Sequence, residues 1–110
     1  MRNKLQIGFF LSIFSSAVFS DCIPHMCQDV FVQRLFAASN GLIYVATSGD
    51  ETQLDCNAVS SKYLSFNLSD LAADVFYSTL LAAQISERIV SIRIVNGSQD
   101  CQIQYITHDR

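Results

Sequence analysis

The chain has 110 residues, 50% of them hydrophobic and 15% charged, with four Cys, one Pro and no Trp. That length holds one domain. The composition excludes a disordered tail, which is poor in apolar residues, and a coiled coil, which needs abundant Glu, Lys and Arg in heptads.

The first twenty residues read as an address. Met1–Lys4 is a short basic start, and Leu5–Phe14 is apolar apart from Gln6 and Ser12. Ser15–Ser20 then supplies small residues, with cleavage points after Ala17 or Ser20. These are the three parts of a secretory signal. The apolar run is shorter than the ~20 residues a membrane span needs, and no other segment is long and apolar enough to cross. The expectation is a signal peptide over 1–20 and one domain over 21–110, secreted or periplasmic. Cleavage removes Arg2 and Lys4, leaving five basic residues against ten acidic ones and a net charge of −5. Phosphate backbones are bound by a Lys/Arg stripe that releases counterions. Five scattered cations do not form one, so no nucleic-acid partner is expected.

Cys22, Cys27, Cys56 and Cys101 all follow the signal. An even count in a short exported chain reads as two disulfides with three possible pairings. The favoured pairs are Cys22–Cys27, closing a small loop stiffened by Pro24, and Cys56–Cys101, tying mid-chain to the last strand; crossed pairings stay open. The segment Cys22-Ile-Pro-His-Met-Cys27 also packs two thiols, an imidazole and a thioether into six residues, a soft ligand set of the kind that selects Cu(I). Oxidation of the thiols is the ordinary outcome for an exported chain, so no metal or other cofactor is assigned.

Val30–Ala38 is a β-branched and aromatic run, and Ser39-Asn40-Gly41 after it signals a hairpin into Leu42–Thr47. Ser48–Glu51 reads as a turn with solvated acids, and Gln53–Asn57 as a short strand carrying Cys56. Tyr63–Leu68 alternates, with Leu64, Phe66 and Leu68 inward and Tyr63, Ser65 and Asn67 outward.

A helix is predicted from Ser69 to Gln84, capped by Asn67 or Ser69 and with Asp70 favoured by the dipole. At about 100° per residue, its apolar positions, Leu71–Ala73, Val75, Phe76, Thr79, Leu80, Ala82 and Ala83, cover roughly 200° of arc, with Tyr77 and Leu81 beyond it. One sheet face requires a stripe of only ~100°. The surplus predicts a second contact, with Ala73, Tyr77 and Leu81 at an interface between copies.

Arg88–Val95 alternates, with Val90, Ile92 and Ile94 inward. Asn96-Gly97 opens a tight connection to a last strand, Cys101–Thr107. The predicted class is α+β, mainly β: a small OB-like antiparallel barrel of five to six strands with one helix before the C-terminal hairpin. A plain sheet covered by one helix is the alternative.

The stretch Tyr63–Thr107, with "YSTLLAAQ" in the helix and "RIVSIRI" after it, resembles the binding subunits of bacterial AB5 toxins of the cholera and subtilase-cytotoxin kind. The resemblance covers about half of the mature chain. It implies an exported, disulfide-bonded OB fold, five copies in a ring with their helices lining the centre, a second toxin-like subunit, and an outer surface that binds cell-surface glycans.

Catalysis is not expected. A nucleophile or base needs an orienting partner, and the two histidines, His25 and His108, lie near opposite ends of the mature chain. Gly-x-Ser-x-Gly, phosphate-binding glycine loops and zinc-protease motifs are absent. Asn67-Leu-Ser and Asn96-Gly-Ser match the glycosylation sequon, but each is explained by a cap or turn. The expected function is a non-enzymatic binding subunit, with Ser91, Arg93, Gln102 and Gln104 on the outward face of the closing hairpin as the polar ligand contacts. The alternatives are a monomeric exported inhibitor or accessory protein, and a metal-handling protein using Cys22, His25, Met26 and Cys27.

Overall fold

A computed structural model describes residues 21–109; the segment assigned as a signal peptide lies outside them. The elements are β1 (Asp21–Ile23), β2 (Met26–Val30), β3 (Val32–Ala37), β4 (Leu42–Thr47), β5 (Leu64–Asn67), α1 (Ala73–Ser86), β6 (Val90–Ile94) and β7 (Ile103–Thr107). Among the described residues the fold is mainly β, with one α-helix and seven strands in two antiparallel sheets, ordered β1–β2–β6–β7 and β3–β4–β5.

The single strand expected over Val30–Ala38 is two strands, because the chain changes sheet at Phe31. Its N–H donates to Ser48 Oγ at 2.9 Å, and its carbonyl accepts from Ser48 N at 3.0 Å. This corner lets β2 pair with β6 while β3 pairs with β4. The sheets meet again at one parallel bridge, Ser65 with Gln102, where Ser65 N donates to Cys101 O at 3.0 Å. One bridge is not a ladder, so the strands do not run on into a closed barrel. The break has a local cause: Asp100 and Cys101 take left-handed φ values of 65° and 45°, which starts β7 at Ile103 rather than at Cys101.

The Asn40-Gly41 hairpin forms as its residues dictate. Gly41 sits at φ 91°, and Ala38 N donates to Leu42 O at 2.9 Å. The strand expected over Gln53–Asn57 is absent. Asp50 instead caps a 3-10 turn, Glu51–Gln53, by accepting from Thr52 N, and Asn57 makes only an isolated bridge to Gln99. Register shifts interrupt three of the ladders, β2–β6, β3–β4 (between Val32 and Arg34) and β6–β7, and two of them re-aim the side chains that matter here. In β2 the register slips between Cys27–Ile92 and Val30–Val90, with Asp29 at φ 50°. In β7 it slips between Ile94–Ile103 and Arg93–Tyr105, leaving Gln104 as the extra residue. Tyr105 therefore turns outward, and Ile106, opposite Ile92, packs against the core.

The core lies between the sheets and under the helix. Ile43, Val45, Leu64 and Phe66 come from one sheet, Val30, Val90, Ile92 and Ile94 from the other, and Ala73, Leu80 and Ala83 from α1. Burying each large member stabilises the fold by about 1.5–3 kcal/mol. Phe66 meets Phe76 edge-on, centroids 5.5 Å apart, which fixes the helix over the sheet. Leu68, expected inward, is exposed because β5 ends at Asn67.

The helix begins at Ala73, later than expected, and neither Asn67 nor Ser69 caps it; the N-cap is Ala72, with no side-chain bond. Asn67 Oδ1 accepts from Ser69 N and Oγ instead, and Asp70 Oδ2 accepts from Asn67 N. These bonds build a turn between strand and helix. At the other end Glu87 takes a left-handed φ of 56°, and Arg88 N donates to Ala83 O at 3.0 Å.

Candidate functional site

Three surfaces carry the chemistry that the described residues leave outward. The first is the back of the helix. Ala73, Phe76, Tyr77, Leu80 and Ala83 form its inner stripe and pack in the chain's own core. Ala73 is therefore closed to a partner, and Tyr77 is half-buried against the same core. The wide apolar arc splits in two: its other half faces away, with Val75 66% and Ile85 74% exposed, Leu81 on the flank at 36%, and Leu71, before the N-cap, fully exposed. Ser78 and Ala82 lie between them and keep this outer face flat.

The second surface is the closing hairpin, where the four polar residues expected to share a face are dispersed. Ser91 is buried, and its Oγ accepts from Asp29 N at 3.0 Å, so it serves the β2 bulge. Arg93 stands opposite Tyr105, with its Nε buried and without a hydrogen-bond partner among the described residues. Gln104 is the bulge residue. Gln102 lies across the bridge to β5, at the other sheet.

The third surface is the outer face of β3–β4–β5, and it holds residues that sequence patterning did not single out. Phe36 and Tyr44 are cross-strand partners with centroids 4.9 Å apart. Tyr63 meets Phe36 at 5.4 Å and Tyr44 at 6.0 Å, edge-on in both cases. Arg34 Nη1 donates to Tyr63 Oη at 3.2 Å and borders the cluster. Beside Tyr44 opens a cleft of about 110 Å³, lined by Leu42, Ser65, Asn67, Asp70, Asp100 and Gln102, together with Phe66. The hairpin register was the signal that could have joined Phe36 to Tyr44; Tyr63 arrives only by tertiary pairing.

Elsewhere the chemistry is structural. Cys22 is bonded to Cys27 and Cys56 to Cys101, so the metal-handling reading loses both thiolates. Among the described residues no three His, Cys, Asp or Glu side chains gather as a metal site. Glu51, expected in solvent, is 4% exposed, because its carboxylate accepts from Thr47 N at 2.6 Å and Thr47 Oγ1 at 2.9 Å. Asp50 stays in water, and the Thr52 hydroxyl, then the Thr52 N–H, hold its carboxyl below the usual range. No helix among the described residues is long and apolar enough to cross a membrane. No protein-family model, curated protein or solved structure matches the chain.

Proposed function

We infer that the protein is an exported, non-enzymatic binding subunit that assembles with copies of itself through the outer face of α1 and presents its sheets to a cell-surface ligand, a glycan by the toxin-subunit resemblance. The carrying observation is the uncovered apolar stripe Leu71, Val75, Leu81 and Ile85. Scattered exposed apolar residues are ordinary, but these four share one flank of one helix and its entry turn. Two disulfides in a chain of this size fit an oxidising compartment. An OB-like reading of the fold is part of the proposal. If β2 and β3 are one bent strand, the pairing order runs β4, β5, β7, β6 and back to β2, with the Ser65–Gln102 bridge as the weak seam.

Light scattering on the mature protein tests the assembly. It should report a multiple of the protomer mass at micromolar concentration, and Val75→Glu should reduce it to a protomer with an unchanged circular-dichroism spectrum. Val75 is the better site for this charge than Tyr77, which the core partly holds. A wild-type protein that is a monomer throughout that range removes the assembly. The helix face would then serve the second reading, in which a lone protomer docks this stripe on another protein as an inhibitor or accessory factor.

A further inference from the structure

We propose that the free edge of β3 and the groove between it and α1 bind an extended cationic segment of another protein, added to the sheet as a further strand. This site is separate from the outer face of α1 and does not rest on assembly through it.

Hydrogen-bond alternation identifies the free groups. Ala38 N donates to Leu42 O, and Leu68 N donates to Gly41 O. Bonded pairs recur at every second residue of an antiparallel ladder. β4 therefore bonds β3 through Leu42 and Tyr44, and β5 through Ile43 and Val45. On β3, Phe36 turns its N–H and C=O to Tyr44, while Leu35 and Ala37 turn theirs away from the sheet. β3 is the outer strand of its sheet, and no loop or side chain among the described residues bonds the backbone of Leu35 or Ala37. Only the start of the edge is occupied, where Gln84 Nε2 donates to Gln33 O at 3.3 Å. β1 is three residues long, and β5 and β7 are bridged through Ser65 and Gln102. The six residues of β3 are thus the longest open edge among the described residues. A row of unpaired donors and acceptors is a template for an added strand.

The groove selects the side chains. α1 runs antiparallel beside β3 and leaves a cleft at each end. One, of about 330 Å³, is lined by Phe31, Val32, Ala83 and Glu87; the other, of about 320 Å³, by Ala37, Leu68, Tyr77 and Asp74. Each sets one carboxylate beside an apolar wall, which suits the aliphatic stem and charged head of Lys or Arg. Gln33 and Ala37, at the two clefts, are four residues apart, about 13 Å of strand. Side chains on one face of an extended chain repeat every two residues, so the clefts receive positions i and i+4. Leu81 lies between the clefts on the helix, three residues from Ser78 and three from Gln84, and is 36% exposed. It meets position i+2, which is therefore apolar. The recognised pattern is basic–x–apolar–x–basic.

Charge decides the occupant. The inward side chains of β3 at this edge are Leu35, packed on the core, and Ala37, opposite Ile43. A second copy pairing edge to edge would offer these in place of cations, and would set its own Asp74 and Glu87 across the groove, where like charges repel. Arg34, bonded to Tyr63 on the outward face, lines neither cleft, and nor does Arg88. The carboxylates are left for a foreign cation.

The test is NMR titration of the ¹⁵N-labelled mature protein with a blocked peptide, Thr-Arg-Thr-Val-Thr-Arg-Thr, at low salt. The Leu35 and Ala37 amides should shift and gain protection from hydrogen exchange, and added salt should weaken the binding. Peptides with both Arg replaced by Glu, or with Pro on each side of Val, should not bind. Ala37→Pro removes an outward N–H and spares the β4 ladder, the position at which an edge strand tolerates Pro. It should weaken binding about tenfold or more with circular dichroism unchanged. Asp74→Asn with Glu87→Gln should weaken binding about threefold to tenfold and flatten its salt dependence, whereas Val75→Glu should leave it unchanged. No binding of the Arg peptide overturns the proposal. So does equal binding of the Glu or Pro peptide, or binding that survives both Ala37→Pro and the carboxylate pair. A solution mass that Ala37→Pro lowers and Val75→Glu does not would give this edge to a second copy and overturn it too. A monomer that binds the peptide defeats the assembly alone, and an intact assembly that does not bind it defeats this site alone.

Discussion

Removing each disulfide in turn separates chain entropy from sulfur packing as the source of stability. Cys56 and Cys101 are 45 residues apart and Cys22 and Cys27 only 5. In the chain-entropy model the long loop contributes about 4 kcal/mol at 25 °C and the short one about 2 kcal/mol. Packing points the other way: Cys22 and Cys27 are both buried, whereas Cys56 is only partly so. The paired variants Cys22→Ala/Cys27→Ala and Cys56→Ala/Cys101→Ala therefore set the two causes against each other. Urea unfolding at 25 °C should show the long-loop variant weaker by about 2 kcal/mol, a factor of about 30 in the folding constant. Its slope with denaturant should also rise, because the unfolded chain is released to expand. Equal losses, or a larger loss for Cys22/Cys27, would show that buried sulfur outweighs loop closure and would refute the reasoning.

Two further outcomes follow from contacts near the first disulfide and the 3-10 turn. A Cβ at Gly49 would sit 2.9 Å from Cys22 Sγ and 3.2 Å from Cys22 N. Gly49→Ala should cost about 1–3 kcal/mol and lower Tm by about 4 °C or more; an unchanged Tm would mean that this approach is looser than described. For Asp50, the depressed carboxyl contributes stability above its unfolded value of about 3.9, lost as pH falls through the folded value. Thr52→Ala removes the largest cause and should move the Asp50 titration upward, followed by side-chain NMR. A midpoint that stays put rules out the hydroxyl as the cause.

What could be read from the chain was local. Asn40-Gly41 specifies its turn by backbone preference, β6 declares its faces by strict alternation, and Ala- and Leu-rich residues without Gly or Pro make α1 helical wherever it packs. Its starting point was harder to read, because Asn67 and Ser69 have two uses for the same oxygen atoms. A cap and an Asx-type turn draw on one hydrogen-bond chemistry, and the strand pairing of Asn67 with Leu42 favours the turn. Glu51 shows a similar limit. An acid in a polar turn reads as solvated until the strand end at Thr47 presents it with an N–H and a hydroxyl.

The polar face expected on the closing hairpin is dispersed by the bulge in β7, the turn before it and the bulge in β2 that takes Ser91. Grouping Ser91, Arg93, Gln102 and Gln104 assumes that alternation runs unbroken from Cys101 to Thr107. A bulge inserts one residue into one strand only, and which strand takes it depends on the partner register. Here β7 takes it at Gln104, so Tyr105 rather than Gln104 stands opposite Arg93. Before β7 begins, the left-handed pair Asp100-Cys101 turns the chain toward β5, and Gln102 is bridged to Ser65. Gln102 thereby leaves the hairpin and lines the cleft beside Tyr44. Gln102, which precedes the bulge, is thus the one polar residue of the expected face that lines this cleft. Deleting Gln104 would restore unbroken alternation with Tyr105 still opposite Arg93 and Ile106 still in the core opposite Ile92, whereas keeping Gln104 without the bulge would turn Ile106 to the surface. The bulge therefore keeps Ile106 in the core, while the turn before it carries Gln102 to the aromatic face.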